Sequence, residues 1–253
     1  MVSLNFKARV PVFDANVGVG HRHDRVSPFD SPDELLEEMA RHGVDRALIY
    51  HLQGEILSPI EGNEALGRWA AGRAEFSLQW TLGPTPDSLR QLQQLRASGQ
   101  LHSARLSCTG PSGIPFSEWI YGEALAWLAA ERIPLWISLA DTPAAELMET
   151  LNLFPELATV LLGGHYSHAL LLRPLLRRLP KAHLELSRYE CLGEVEELLG
   201  EFGASRLLYG SFYPRYAMGP MLYYLHHLRC GDAELAALCA GNLERLLGRE
   251  AGR

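Results

Sequence analysis

Eight short apolar runs divide this chain at fairly regular intervals, and that alternation limits its fold more than any other feature. The runs are VPVFDA (10–15), DRALIYH (45–51), EFSLQWTL (75–82), SARLSC (103–108), IPLWISL (133–139), ATVLLGG (158–164), AHLELS (182–187) and SRLLYGS (205–211). Most are nearly continuous in hydrophobicity, as parallel strands covered on both faces are. Amphipathic helical stretches separate them. Ser31 before Pro32, with Glu34 completing a capping box, starts a helix that Gly43 ends. Asp87 leads into LRQLQQLRASG, Pro143 opens AAELMETLNLF, ALLLRPLLRRL follows Tyr166, and Asp232 is expected to cap AELAALCAGNLERLLG. Strand and helix alternating eight times within residues 1–253 predict one α/β domain, a single (β/α)8 TIM-like barrel with C-terminal helices.

An open doubly wound sheet is the main competitor, and it would carry a glycine-rich nucleotide turn after its first strand. Gly18, Val19 and Gly20 are read as following that strand, but His21, Arg22 and His23 come next and no helix opens there. The dinucleotide reading fails on that context. A chain of 253 residues, 47% hydrophobic and 21% charged, has enough apolar material for a core and is not disordered. Its net charge of -7, with no basic stripe, argues against nucleic acid and against an anionic membrane surface. No apolar run approaches the ~20 residues of a membrane span. The opening MVSLNFKARVPVFD lacks the pattern of a signal peptide. Cys108, Cys191, Cys230 and Cys239 form no CxxC pair and are expected to be reduced thiols. The expectation is a cytoplasmic protein with a small-molecule ligand. The Leu-rich stretch at 170–179 is read as a packing or subunit surface, which leaves a homo-oligomer open.

Several segments resemble a known family. VFDANVGVG is similar to the opening of amidohydrolase-superfamily barrels, where an Asp and a small residue precede a His-x-His pair. RLLYGSFYP resembles the eighth-strand signature of the amidohydrolase-related group, normally Gly-Ser-Asp-x-Pro. LFPELATVLLGGH resembles the run into strand six, and AGNLERLLG the closing Asn-containing helix. The resemblance follows the family's order along the whole chain. It implies a barrel acting on a small organic substrate as a hydrolase or a decarboxylase-like lyase.

The departures from the family pattern bear on mechanism. The His-x-His positions are Asn16 and Gly18, and the strand-five His falls near Ser138. The strand-six His falls at Gly163, with His165 two residues on, and Phe212 replaces the strand-eight Asp. A divalent ion needs about three or four imidazole or carboxylate ligands converging. The resemblance therefore implies a divergent branch with no metal ligand at these positions and no cofactor. Metal-independent acid–base catalysis is expected; the alternative is a catalytically degenerate barrel that binds a metabolite or acts in assembly.

The candidate residues follow from strand ends, where barrels carry their chemistry. His165, in GGHYSH, suits a general acid or base, or equally a helix-start histidine bonded to a carbonyl. His51 is placed similarly after the second strand. Arg105, inside the fourth strand, must meet a carboxylate or a bound anion; Glu185 is the internal candidate, and Asn16 with Arg105 would orient substrate. Trp80 and Phe212 are expected to line the mouth with Tyr166. Asp14 reads equally as a hydrogen-bond acceptor near the barrel floor. No serine lies in Gly-x-Ser-x-Gly, and Cys108 reads as a nucleophile only if His51 or His165 approaches it. His21 and His23 with His165 could form an unusual metal set; beside Arg22 and Arg25 they also read as a solvated loop.

Overall fold

The computed structural model describes residues 6–21, 26–107 and 109–248; His23 of the unusual metal set and Cys108 lie outside the described residues. Eight strands occupy the eight apolar runs: β1 (Phe13–Val19), β2 (Arg46–His51), β3 (Phe76–Leu78, continuing as Trp80–Leu82), β4 (Ala104–Leu106), β5 (Leu135–Ser138), β6 (Thr159–Leu162), β7 (Ala182–Glu185) and β8 (Leu207–Leu208). Each pairs in parallel with the next. Within β3 the ladder runs through Gln79, whose N–H donates to Ile49 O at 2.9 Å. The ring closes between its ends. Ala15 N donates to Tyr209 O at 3.1 Å, Gly18 N donates to Tyr213 O at 2.7 Å, and Val17 bridges Tyr213 in parallel. This is a closed (β/α)8 barrel.

β1 runs further than its apolar run suggested, through Val19, so Asn16 and Gly18 lie within the strand rather than Gly18 following it. Its pairing with β2 slips between Asp14 and Val17. Such an irregularity re-aims the side chains around it.

The helices start where short polar side chains or prolines sit. In α1 (Pro32–His42) Ser31 accepts from Glu34 N, Glu34 reaches back to the cap, and Gly43 ends the helix at φ 70°. α2 (Leu52–Ile56) is a short helix leaving β2 directly, followed by α3 (Pro59–Trp69). α4 (Pro86–Ala97) is capped by Thr85, whose hydroxyl accepts from Ser88 N. α5 (Glu118–Ala130) and α6 (Ala144–Leu151) follow, the second opened by Pro143. α7 (Ala169–Arg178) buries Leu172, Leu175 and Leu176, while Arg173 and Arg177 pair with Glu194 and Glu201 of α8 (Glu194–Phe202). Part of the Leu-rich surface is thus internal packing. α9 (Gly219–Leu225) precedes the closing helix, where Gly231 is the cap and Asp232 the first helical residue. Among the described residues no helix is long and apolar enough to cross a membrane.

Two apolar layers hold the barrel. The larger lies between sheet and helices and includes Val17, Leu35, Leu66, Leu125 and Leu147. The smaller plugs the ring from within and includes Phe13, Ala15, Leu48, Trp136, Val160 and Leu208. Such burial stabilises by about 25 cal/mol per Å² of apolar surface. Polar side chains lie in the same strands as that plug.

Candidate active site

Period-two alternation aims Tyr50, Gln79, Arg105 and Glu185 to the inside of the ring, and the slip in β1 turns Asn16 inward next to Ala15. Arg105 is their hub and is 1% exposed. Its Nη1 donates to Asn16 Oδ1 at 3.1 Å and to Gln79 Oε1 at 3.4 Å. Its Nε and Nη2 donate to Glu55 Oε1 at 3.2 and 2.7 Å. The guanidinium carbon lies 3.6 Å from the centroid of the Tyr50 ring, a desolvated cation–π contact. The partner expected for Arg105, Glu185, is thereby corrected. The direct ion pair is with Glu55, and Glu185 connects through Asn16, whose Nδ2 donates to Glu185 Oε2 at 3.2 Å.

Local structure explains the pairing. α2 turns in from β2 with His51 as its cap, the ring Nδ1 accepting from Gln53 N at 3.3 Å. α2 packs against α3 at Gly62, where a Cβ would fall on the Gly54 backbone. That close approach carries Glu55 inward, where it is buried. Glu185 also accepts from Ser187 N at 2.7 Å and Ser187 Oγ at 2.9 Å. Glycine at residue 210 leaves it room: a Cβ there would lie 2.2 Å from Glu185 Oε1. Asp14 Oδ1 accepts from Asn16 N at 3.0 Å and Ser211 N at 2.9 Å, while its Oδ2 has no hydrogen-bond partner.

Of the three buried carboxyls, Glu55 pairs with the buried guanidinium directly, Glu185 joins it through Asn16, and Asp14 lies beyond, bonded to the Asn16 backbone. Arg215 at the rim adds a second cation 3.6 Å from Glu55 Oε2. Burial pushes Asp14 up to about 7, against the pull of its bonds from Ser211 and Asn16, and the Glu185 charge adds to the rise. Burial raises Glu185 as well, against its bonds from Ser187 and Asn16 and the charge of Arg105. Asp14 therefore keeps its proton to a higher pH than a solvated carboxyl does.

At the mouth the expected residues separate. Phe212 is buried there with φ 58°, a left-handed backbone that a bulky residue rarely adopts, and the Arg215 guanidinium lies 4.7 Å from its ring centroid. Arg215 also lines a cavity of about 50 Å³ with Gly20, Tyr50, Leu52 and Pro214. His51 borders Gly20 through its Nε2 edge, and burial, then Arg68 and His21, lower its pKa, so it is neutral at pH 7.

His165 starts the single helical turn Tyr166–His168, with Nδ1 3.0 Å from Ser167 Oγ and its ring centroid 3.9 Å from that of the exposed Tyr166. The helix-start geometry holds, although the partner is a hydroxyl and not a carbonyl. Among the described residues neither histidine bonds to the Arg105 network or to the other. His21 accepts from Ser27 N and pairs with Asp30 at 3.1 Å.

Trp80 requires a correction. It points outward, donates from Nε1 to Gln100 O at 3.1 Å, and packs in the layer between sheet and helices. Alternation places Gln79 inside instead. A polar residue within the run EFSLQWTL was the signal that could have found Gln79. Glu55 had none, because it lies outside every strand.

The fold is shared with known barrels. An uncharacterized TIM-barrel protein from Bordetella bronchiseptica superposes with a TM-score of 0.74 at 17% identity, over 96% of this chain and 99% of that one. The 2,6-dihydroxybenzoate decarboxylase from Rhizobium gives 0.75 at 14% identity, over 94% and 99%. A dihydroxybenzoic acid decarboxylase from Polaromonas, solved with bound manganese and the inhibitor 2-nitroresorcinol, gives 0.72 at 12% identity, over 95% and 97%. No protein-family model and no curated protein matches the chain. The likeness supports the sequence resemblance at the level of the fold.

A manganese-type ion does not fit the residues that line this centre. Asn16 supplies a neutral amide oxygen already bonded to a guanidinium, Gly18 and Gly163 supply no side chain, and Phe212 is apolar. Among the described residues no group of three or more His, Cys, Asp or Glu converges as ligands. A dication beside Arg105 would meet a like charge in a low-dielectric interior.

Proposed function

We propose that this barrel acts on a small organic acid, amide or lactone by hydrolysis or decarboxylation, with its own side chains and without a divalent ion at the centre. The observation that carries this reading is the buried polar layer of Asn16, Arg105, Glu55 and Glu185 within a barrel of this class. A scaffold alone would be at least as stable with apolar side chains of similar volume there. The Rhizobium neighbour is a decarboxylase of 2,6-dihydroxybenzoate, and the substrate class is carried over from it by analogy of fold. We place the activity in the cytoplasm, in keeping with the free thiols of Cys191, Cys230 and Cys239.

In this proposal the substrate carboxylate meets Arg215 at the rim cavity, and Asn16 and Arg105 set the floor beneath it. His51, neutral with Nδ1 accepting from Gln53, carries its proton on Nε2 at the cavity edge. In a decarboxylation the carbon–carboxylate bond breaks, carbon dioxide leaves, and the electron pair left on carbon takes a proton from a water molecule that this N–H orients; the hydroxide left over combines with the carbon dioxide as bicarbonate. In a hydrolysis the same N–H donates a hydrogen bond to the carbonyl oxygen while water attacks the carbon, and a proton of that water passes through His165 to the leaving atom. His165 acts from the other side of the same rim as the proton carrier. The test is turnover of hydroxybenzoates and small amides and lactones by chelator-treated protein. A loss of about 10²-fold or more in His51→Ala is expected. Unchanged turnover in a His51→Ala, His165→Ala double variant would remove the assignment.

A second reading is favoured by the size of the mouth. The cavity of about 50 Å³ beside Arg215 is far below the roughly 300–1,000 Å³ of ordinary small-molecule sites. A degenerate barrel that only binds a metabolite would show no turnover, yet a specific ligand would raise its melting temperature.

A further inference from the structure

We propose that the Arg105 guanidinium is the resident cation of this barrel: it is held by the oxygens of Asn16, Gln79 and Glu55 in the way a hard metal ion would be, and it keeps divalent ions out. Three observations on the same group lead there. Its oxygen partners come from three separate segments, β1, β3 and α2, and lie at 2.7–3.4 Å, so the cation ties those segments together across the axis. It is almost completely buried, which a charge tolerates only where it is paired and bonded. It is also the fully buried partner of Glu55, so without it that carboxylate would face only Arg215 at the rim.

The partner set is chemically specific. Two amide oxygens and a carboxylate are hard donors of the kind that calcium, magnesium and manganese take. At present every one of them faces the guanidinium. Shortening residue 105 would leave those oxygens around a vacated, negatively biased space. The wild-type chain should therefore reject a divalent ion that a variant lacking the guanidinium accepts. The inference rests on the metal-free half of the proposed function, and its readouts are metal content and melting. Failure of the proposed turnover leaves it standing.

The experiment is equilibrium dialysis of the full chain against manganese chloride, followed by elemental analysis, with melting curves recorded with and without the ion. Wild-type protein is expected to hold well under ~0.1 manganese per chain and to show no shift in melting temperature. Arg105→Ala is expected to melt lower by more than about 5 °C, to bind about one manganese, and to regain part of the loss on binding it. Adding Glu55→Gln to that variant should abolish the uptake. Should Arg105→Ala not fold, Arg105→Gln, which is shorter but keeps a hydrogen-bonding side chain and drops the charge, is read in the same way. Arg105→Lys must still exclude the ion. About one manganese bound by the wild type and lost in Glu55→Gln would overturn the inference, as would a folded, neutral residue-105 variant that takes up none.

Discussion

Asp14→Asn isolates the consequence of burying a carboxyl in the wall of this barrel. Folding raises its pKa from the ordinary 3.8 to about 7. At ~1.4 kcal/mol per tenfold change, that corresponds to about 4 kcal/mol. The native state binds a proton that the unfolded chain releases between pH ~4 and ~7, so the contribution of Asp14 to stability falls as pH rises through that window. An asparagine keeps the Oδ1 that accepts from Asn16 N and Ser211 N, and it carries no charge to desolvate. It does place an amide group where Oδ2 has no partner, which costs about 1–2 kcal/mol at any pH. The variant should therefore be slightly less stable than wild type near pH 4, and more stable by about 2–3 kcal/mol near pH 8. Urea unfolding of both proteins from pH 4 to pH 9 reads this difference directly. Stability curves that stay parallel across the range would refute the reasoning, because they would mean that Asp14 titrates alike in both states.

Glu55→Ala removes one member of an ion pair with side chains 1% and 3% exposed and leaves Arg105 charged in the interior. A loss of about 3–5 kcal/mol is expected, seen as a melting temperature lower by about 6–15 °C, whereas a change under 1 kcal/mol would show that α2 opens and hydrates the pair. Gly210→Ala places a Cβ on Glu185 Oε1 and should destabilise by about 2 kcal/mol or more, measured by chemical denaturation. Combining it with Glu185→Ala should recover part of that loss, and strict additivity would show that the two positions do not collide.

The rim histidines show how far a position along the sequence can be trusted. His51 and His165 both stand at the C-terminal ends of strands, as the runs RALIYH and ATVLLGG indicated. One side chain caps α2 and the other bonds within its own turn, so each is committed locally before any substrate arrives. The left-handed backbone of Phe212 could not be read from a phenylalanine in YGSFYP.

The sequence by itself determined the number of strands, their order and their parallel pairing, because continuous apolar runs and capped amphipathic helices are local patterns that each segment carries alone. It also indicated that Arg105 needed an internal partner, since no strand buries an unpaired guanidinium. Which partner it found was decided by tertiary structure. Glu185 shares the strand layer with Arg105, yet Glu55 arrives on a short helix whose path depends on Gly54 and Gly62 touching across two segments. The same holds for Trp80 and Gln79. Both sit in one apolar run, and only the register of β3 in the closed ring fixes which of them faces the axis. Contacts between segments distant in sequence depend on register and close approach, which the order of residues in either segment does not specify.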